Sequence, residues 1–182
     1  MHPNVLKVLV PQHTIAARVA ELGREIAQDY AVRQPLLVGT LSGAFIFMAD
    51  LARCIDPVPD GLAVDFLRAS SYGGTATVTS GEVKLGMQLK TPLNGRHVLL
   101  VEDIVDTGTT AKRLVEELRG QGAASVEVVA LLNKSPRRTV DMDLRYCGFE
   151  CPDEFVIGYG LDYNEMYRSL PYVGVLKPEC YQ

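Results

Sequence analysis

The stretch 98-VLLVEDIVDTGTT-110 decides the reading of this chain. Val98–Val101 is a continuous apolar run, as expected of a strand whose two faces are both covered. Glu102 and Asp103 follow, then Ile104 and Val105, then Asp106 and the small residues Thr107, Gly108, Thr109 and Thr110. The next residues, 110-TAKRLVEELRGQG-122, have helical spacing and end at glycine. The strand is read as delivering Glu102 and Asp103 to the carboxyl edge of a sheet, followed by a loop and a helix start.

Outward from this segment, apolar strands alternate with amphipathic helices. In 14-TIAARVAELGREIAQDY-30 the residues Ile15, Val19, Leu22, Ile26 and Tyr30 recur at helical spacing. Strands are expected at 35–40, 62–71, 81–89, 97–102, 125–133 and 154–160, and a second helix at 43–54. Alternation of this kind implies an α/β fold with a mainly parallel central sheet and flanking helices. Ligands then sit beyond the carboxyl ends of the strands. The segment 70-SSYGGTATVTSG-81 breaks the pattern; it is read either as a plain surface loop or as a lid over the site.

Composition narrows the class. The 182 residues suit one domain, 1–182, with 47% hydrophobic and 22% charged residues. The formal net charge of -4, without a basic run, argues against nucleic acid as a partner. The N-terminus does not read as a signal peptide, and no stretch approaches the roughly 20 apolar residues of a membrane span. Cys147 and Cys151 lack the second pair that a zinc site would need, so Cys54, Cys147, Cys151 and Cys180 are read as reduced thiols of a cytoplasmic protein. His97 at a strand start is read as structural.

The small residues after Asp106 have a chemical reading. Glycine permits a tight turn, and free N–H groups at a helix start favour an anion. The lysine-containing P-loop pattern is absent, which argues against an ATPase. Three carboxylates would repel a phosphate unless each has other work. Glu102 and Asp103 suit sugar hydroxyls or a hydrated Mg²⁺, and Asp106 suits proton transfer. A ribose phosphate answers the whole pattern. On these residues alone, a simple helix cap by Asp106 or a threonine stays open.

The same stretch resembles the phosphoribosyl-diphosphate signature of type I phosphoribosyltransferases. With 70-SSYG-73, 81-GEVKL-85, 130-ALLNK-134 and 152-PDEFVIGYGLDYNEMYRSLPYVG-174, the chain is similar to the hypoxanthine-guanine branch of that family over about residues 12–176. The resemblance implies a parallel core, a small hood built from both terminal segments, and a flexible lid at about 70–81 that includes Ser71 and Tyr72. It implies Asp106 as catalytic acid/base, and Glu102, Asp103, Thr107, Gly108, Thr109 and Thr110 at the ribose 5′-phosphate. Lys134, Phe155 and Val156 would hold the base, with Asp162 beside it. Leu41, Ser42, Gly43 and Arg168 would hold diphosphate, with a non-proline cis peptide common in the Leu41–Gly43 turn. Mg²⁺ would be the cofactor, associated with Glu102, Asp103 and Asp162.

The implied partners are phosphoribosyl diphosphate and a 6-oxopurine, in a homodimer or homotetramer. A xanthine-guanine-preferring enzyme and a non-catalytic regulator are the alternatives. One departure is Ser42, where relatives often carry lysine or arginine. Taken singly, Phe155 reads as core, Lys134 as a solvated loop residue, and Arg168 as one half of a helix ion pair.

Overall fold

The computed structural model describes residues 1–68 and 89–181. The expected strand 81–89 and the expected lid, with Ser71 and Tyr72, lie outside the described residues.

The central sheet has five strands in the order β3-β2-β4-β5-β6, and every neighbouring pair is parallel. Its members are β2 (Pro35–Leu41), β3 (Ala63–Arg68), β4 (His97–Val105), β5 (Ser125–Asn133) and β6 (Tyr146–Glu150). Helices α1 (Gln12–Asp29) and α2 (Phe45–Cys54) cover one face, and α3 (Thr109–Gly120) covers the other. Successive strand residues point to opposite faces. Leu37 and Leu99 therefore join Ile15, Val19, Leu22, Ile26, Phe47, Met48 and Leu51 on the first face. Leu36, Val38, Val98 and Leu100 join Ala111, Leu114 and Leu118 on the second. All five residues picked from the spacing of α1, Ile15 to Tyr30, are fully buried.

A smaller antiparallel sheet stands beside the first, in the order β1-β8-β7. It is built from β1 (Val5–Val10), β7 (Val156–Ile157) and β8 (Val173–Leu176), so it combines both ends of the chain as the hood was expected to. Val156, Val173 and Val175 pack into the core shared with α1 and α2. The strand expected over 154–160 contracts to two residues. Gly158 and Gly160 have positive φ, as does Tyr159 at 50°, so the chain leaves the extended conformation after Ile157.

One strand boundary also moves: β4 runs past Glu102 to Val105, and Glu102 is paired in register with Ala130. β3 covers Ala63–Arg68, and residues 69–71 of the strand expected there lie outside the described residues. Asp65 on β3 accepts backbone N–H groups from Phe66, Lys90 and Thr91, each at 2.8 Å, and so pins residues 90 and 91 beside the sheet. His97 is structural: its Nδ1 lies 2.7 Å from Ser125 Oγ, and its ring meets Tyr30 edge to face.

The contact between α1 and α2 depends on Gly23. A Cβ there would overlap the Cys54 backbone carbonyl at the end of α2. Gly23→Ala is expected to destabilise the protein by about 1–3 kcal/mol, as overpacking usually does. Thermal unfolding should show the midpoint falling by roughly 2–4 °C for each kcal/mol.

Candidate functional site

The carboxyl ends of β2, β3 and β4 open onto a cavity of about 620 Å³. Leu41, Ser42, Gly43, Glu102, Asp103, Asp106, Thr107, Gly108, Thr110, Asp162 and Arg168 all line it, together with Thr40, Arg68, Ile104 and Glu165. The sequence-based reading thus places most of its candidates around one space. Thr109 starts α3 without lining the cavity, and Lys134, Phe155 and Val156 stand beyond its edge.

The floor is anionic. Glu102 is only 7% exposed, and its Oε2 lies 2.6 Å from the Thr40 hydroxyl. That same hydroxyl is 3.2 Å from the Val101 carbonyl oxygen. A hydroxyl has one proton and can donate to only one of the two, and the shorter bond is the one to Glu102. Burial, offset in part by the Thr40 hydrogen bond, pushes the Glu102 carboxyl up to about 8. Burial also pushes Asp103 up to about 6, against backbone hydrogen bonds and the nearby Arg168 charge. Gly43 makes room for Asp103, because a Cβ at Gly43 would overlap that carboxylate.

The walls supply the opposite polarity. Gly108 (φ 84°) turns the chain into α3, which carries no side-chain cap. The Thr109 N–H meets Thr107 Oγ1 at 3.4 Å, and the other amides of the first turn are available to an anion. The simple helix-cap reading of Asp106 fails on this point. The Leu41–Ser42 peptide is cis, and the turn that follows leads into α2. Ser42 brings no charge, but Arg68 stands beside it, in register with Leu41 on the neighbouring strand. Arg168 reaches the cavity from the hood side and is held by Asp162 (2.9 Å), Glu165 (2.9 Å) and the Gly160 carbonyl (2.8 Å). Left-handed backbone at Asn164, Glu165 and Tyr167 folds this loop back so that Asp162 meets Arg168.

A strap at residues 134–140 braces the other side. Lys134 N–H donates to the Val105 carbonyl and Thr139 N–H to the Thr107 carbonyl, both at 3.0 Å. Arg138 bonds Asn133 and the Val105 carbonyl, and packs where a Cβ on Gly108 would stand. Lys134 is not a solvated loop lysine: it is 6% exposed, with Nζ on the Glu154 carbonyl (2.9 Å) and Asp153 (3.1 Å). Arg137 spans from Asp106 (3.4 Å) to Asp153 (3.9 Å), which ties the Asp106 loop to the Lys134 side. Sequence reading passed over Thr40, Arg68, Arg137, Arg138 and Glu165. The Arg137-Arg138 pair three residues past Lys134 was the one visible signal among them.

Phe155 is not a core aromatic; it is 38% exposed. Its carbonyl accepts from Leu176 N–H at 2.8 Å. By antiparallel alternation, the N–H and C=O of Val156 then turn away from β8, toward the outer edge of β7.

Glu102, Asp103 and Asp162 do not form a cage: among the described residues, no group of three or more His, Cys, Asp or Glu side chains could hold a metal ion. Mg²⁺ commonly takes one or two carboxylates and draws its remaining ligands from water and substrate phosphates. Asp103, buried and close enough to Asp162 to feel its charge, fits that lesser demand. All four cysteines are free, and among the described residues no helix is long and apolar enough to cross a membrane.

Comparison with known proteins follows this geometry. Residues 7–164 match the phosphoribosyl transferase domain. The chain is 47% identical to the hypoxanthine-guanine phosphoribosyltransferase of Bacillus subtilis, covering all of this chain and 99% of that one. It is also 47% identical to the bifunctional protein TilS/HprT of Listeria monocytogenes, of which it spans 27%. A crystal structure of a hypoxanthine phosphoribosyltransferase from Staphylococcus aureus superposes with a TM-score of 0.92 at 43% identity, covering all of this chain and 97% of the other.

The buried acids give a pH signature. Glu102 and Asp103 have folded values above their unfolded ones, so their contribution to stability is complete below about pH 4. It is lost as pH rises through about 6 for Asp103 and about 8 for Glu102. Glu102→Gln keeps an oxygen acceptor for the Thr40 hydroxyl and removes the ionisation. In metal-free protein, its unfolding midpoint relative to the parent is expected to rise steadily from pH 5 to pH 9. A difference that does not change with pH would refute the burial argument.

Proposed function

Because this chain belongs to the phosphoribosyl transferase domain family, we propose that it is a purine-salvage enzyme, transferring the 5-phosphoribosyl group of phosphoribosyl diphosphate to hypoxanthine and guanine. The products are the nucleotide (IMP or GMP) and diphosphate. One observation carries the reading: a helix start without a side-chain cap, the buried Glu102 with the half-buried Asp103 beside it, and a hood arginine line a single cavity.

Each group then has a task. The amides and hydroxyls of residues 107–110 take the 5′-phosphate. Glu102 and Asp103 accept from the ribose hydroxyls, whose arrival replaces the water these buried carboxyls lack. The Leu41–Gly43 turn, Arg68 and Arg168 receive the diphosphate, with Arg168 released from Asp162 and Glu165 as it does so. The purine lies on Phe155, its edge against the outward N–H and C=O of Val156. The Lys134 ammonium has donors only, so it selects a 6-oxo acceptor and rejects the 6-amino donor of adenine. The C1′–diphosphate bond breaks as the base nitrogen bonds C1′ from the opposite face. Asp106 holds or takes the proton of the imidazole ring. Asp103 would hold Mg²⁺, the cofactor of this reading, whose positive charge would offset that of the departing diphosphate. The chain acts as one domain in a homo-oligomer in the cytoplasm, where its free thiols stay reduced.

Steady-state turnover with phosphoribosyl diphosphate, Mg²⁺ and each of adenine, hypoxanthine, guanine and xanthine tests the proposal. Hypoxanthine and guanine are expected to turn over, with adenine at least about 100-fold lower in kcat/KM, within the range of hydrogen-bond selection. Comparable values for adenine would overturn the assignment of Lys134. Asp106→Asn is expected to lower kcat by about 10²–10⁴-fold with an unchanged unfolding midpoint. A near-parental kcat would remove Asp106 from the chemistry.

A further inference from the structure

Phe155 is part of an aromatic group contributed by three separate segments. Its ring stacks on Tyr181, with centroids 4.9 Å apart and planes at 23°. Tyr163 meets Phe155 at 5.6 Å and 88°, and meets Tyr181 at 6.5 Å and 65°. These separations form a nearly regular triangle. A ring on the far face of Phe155 would stand roughly twice the stacking distance from Tyr181. Tyr163 is much closer than that, so it lies beside the stack. Tyr181 takes one face of Phe155 and Tyr163 stands beside the stack, while Phe155 keeps 38% of its surface exposed.

The chain fixes Tyr181 relative to Phe155 through β8. Leu176, its last residue, donates its N–H to the Phe155 carbonyl. Lys177 N–H then donates to the Asn4 carbonyl, and the turn at Pro178–Cys180 closes with Cys180 N–H on Lys177 O and Tyr181 N–H on Pro178 O, at 3.0 and 3.1 Å. One strand end thus holds the Phe155 main chain, and five residues later the chain holds its side chain.

We propose that Tyr181 is a positioning residue for the purine, backing Phe155 on the face opposite the base and setting the plane on which the base stacks. The bound state is then a three-layer stack of Tyr181, Phe155 and purine. This rests on the reading of Phe155 as the base platform. An exposed phenylalanine without a backing ring rotates about its side-chain bonds, and a base that binds must first stop that rotation. Tyr181 stops it in advance, so its removal weakens base binding and leaves the sugar and phosphate contacts alone.

The test compares Tyr181→Ala, Tyr181→Leu, Tyr181→Phe and Phe155→Leu with the parent, measuring KM for hypoxanthine and for phosphoribosyl diphosphate, kcat and the unfolding midpoint. Tyr181→Ala and Tyr181→Leu are expected to raise the hypoxanthine KM about 3- to 10-fold, the scale of one aromatic pair, with kcat and the other KM within about twofold. Tyr181→Phe retains a flat ring and should restore the parental value. A hypoxanthine KM that is unchanged or lowered in Tyr181→Ala and Tyr181→Leu, while Phe155→Leu raises it, would overturn this proposal alone; a lowered value would mean that Tyr181 occupies the face the base needs. Parallel losses in all kinetic constants would equally overturn it, as a structural effect. An unchanged hypoxanthine KM in Phe155→Leu would remove the platform reading, and the proposal with it.

Discussion

All five strands of the central sheet run in one direction, and a parallel sheet must be covered on both faces. The rest of the molecule follows from that constraint. Helices α1 and α2 take one face and α3 the other, so every turn leaving a strand toward a helix emerges at the same edge. There the turn after β2 and the loop after β4 come together, each from an apolar strand too well packed to shift. The cavity is an edge effect of the sheet's polarity, and the residues around it need no long-range force to find one another.

Charge is distributed between two layers. The sheet edge contributes the carboxylates: Glu102 and Asp103 inside it, and Asp106 just beyond. Apart from Arg68 at the end of β3, the cationic side chains come from segments that arrive later in the chain: Lys134, Arg137 and Arg138 on the strap, and Arg168 from the hood loop. In the free protein these cations are spent on Asp153, Asp106, Asn133, Asp162 and Glu165.

The fold class, the helices and the strand 125–133 were legible because continuous apolar runs and helical spacing are strong signals. β1, β6 and β8 were not. β1 is half exposed and its pairing with β8 slips register twice, so no clean alternation reaches the sequence. The boundary of β4 was misjudged for a specific reason: reading rules end strands at acids because burying a carboxylate is costly, and Glu102 breaks that rule at a site. The loop residues 106–110 could be found from local chemistry. The burial of Lys134 could not, since its partners at 153 and 154 are distant in the chain. Arg68 was invisible as a cavity residue until strand register placed it beside Leu41.

The pairing of β1 with β8 also bears on the order in which the molecule is assembled. Among the described residues, the central sheet has all five of its strands once residue 150 has been added. The hood closes a circuit of about 170 residues, as the bond between His2 N–H and the Tyr172 hydroxyl illustrates. Contacts of such high separation carry the largest loop-closure entropy and form late. Phe155, Tyr163, Arg168 and Tyr181 all hang on that closure. A folding intermediate with an intact sheet would therefore present the carboxylates and the 107–110 loop while lacking its aromatic platform and the hood arginine, and refolding followed by sheet-sensitive and tyrosine-sensitive probes would resolve two phases.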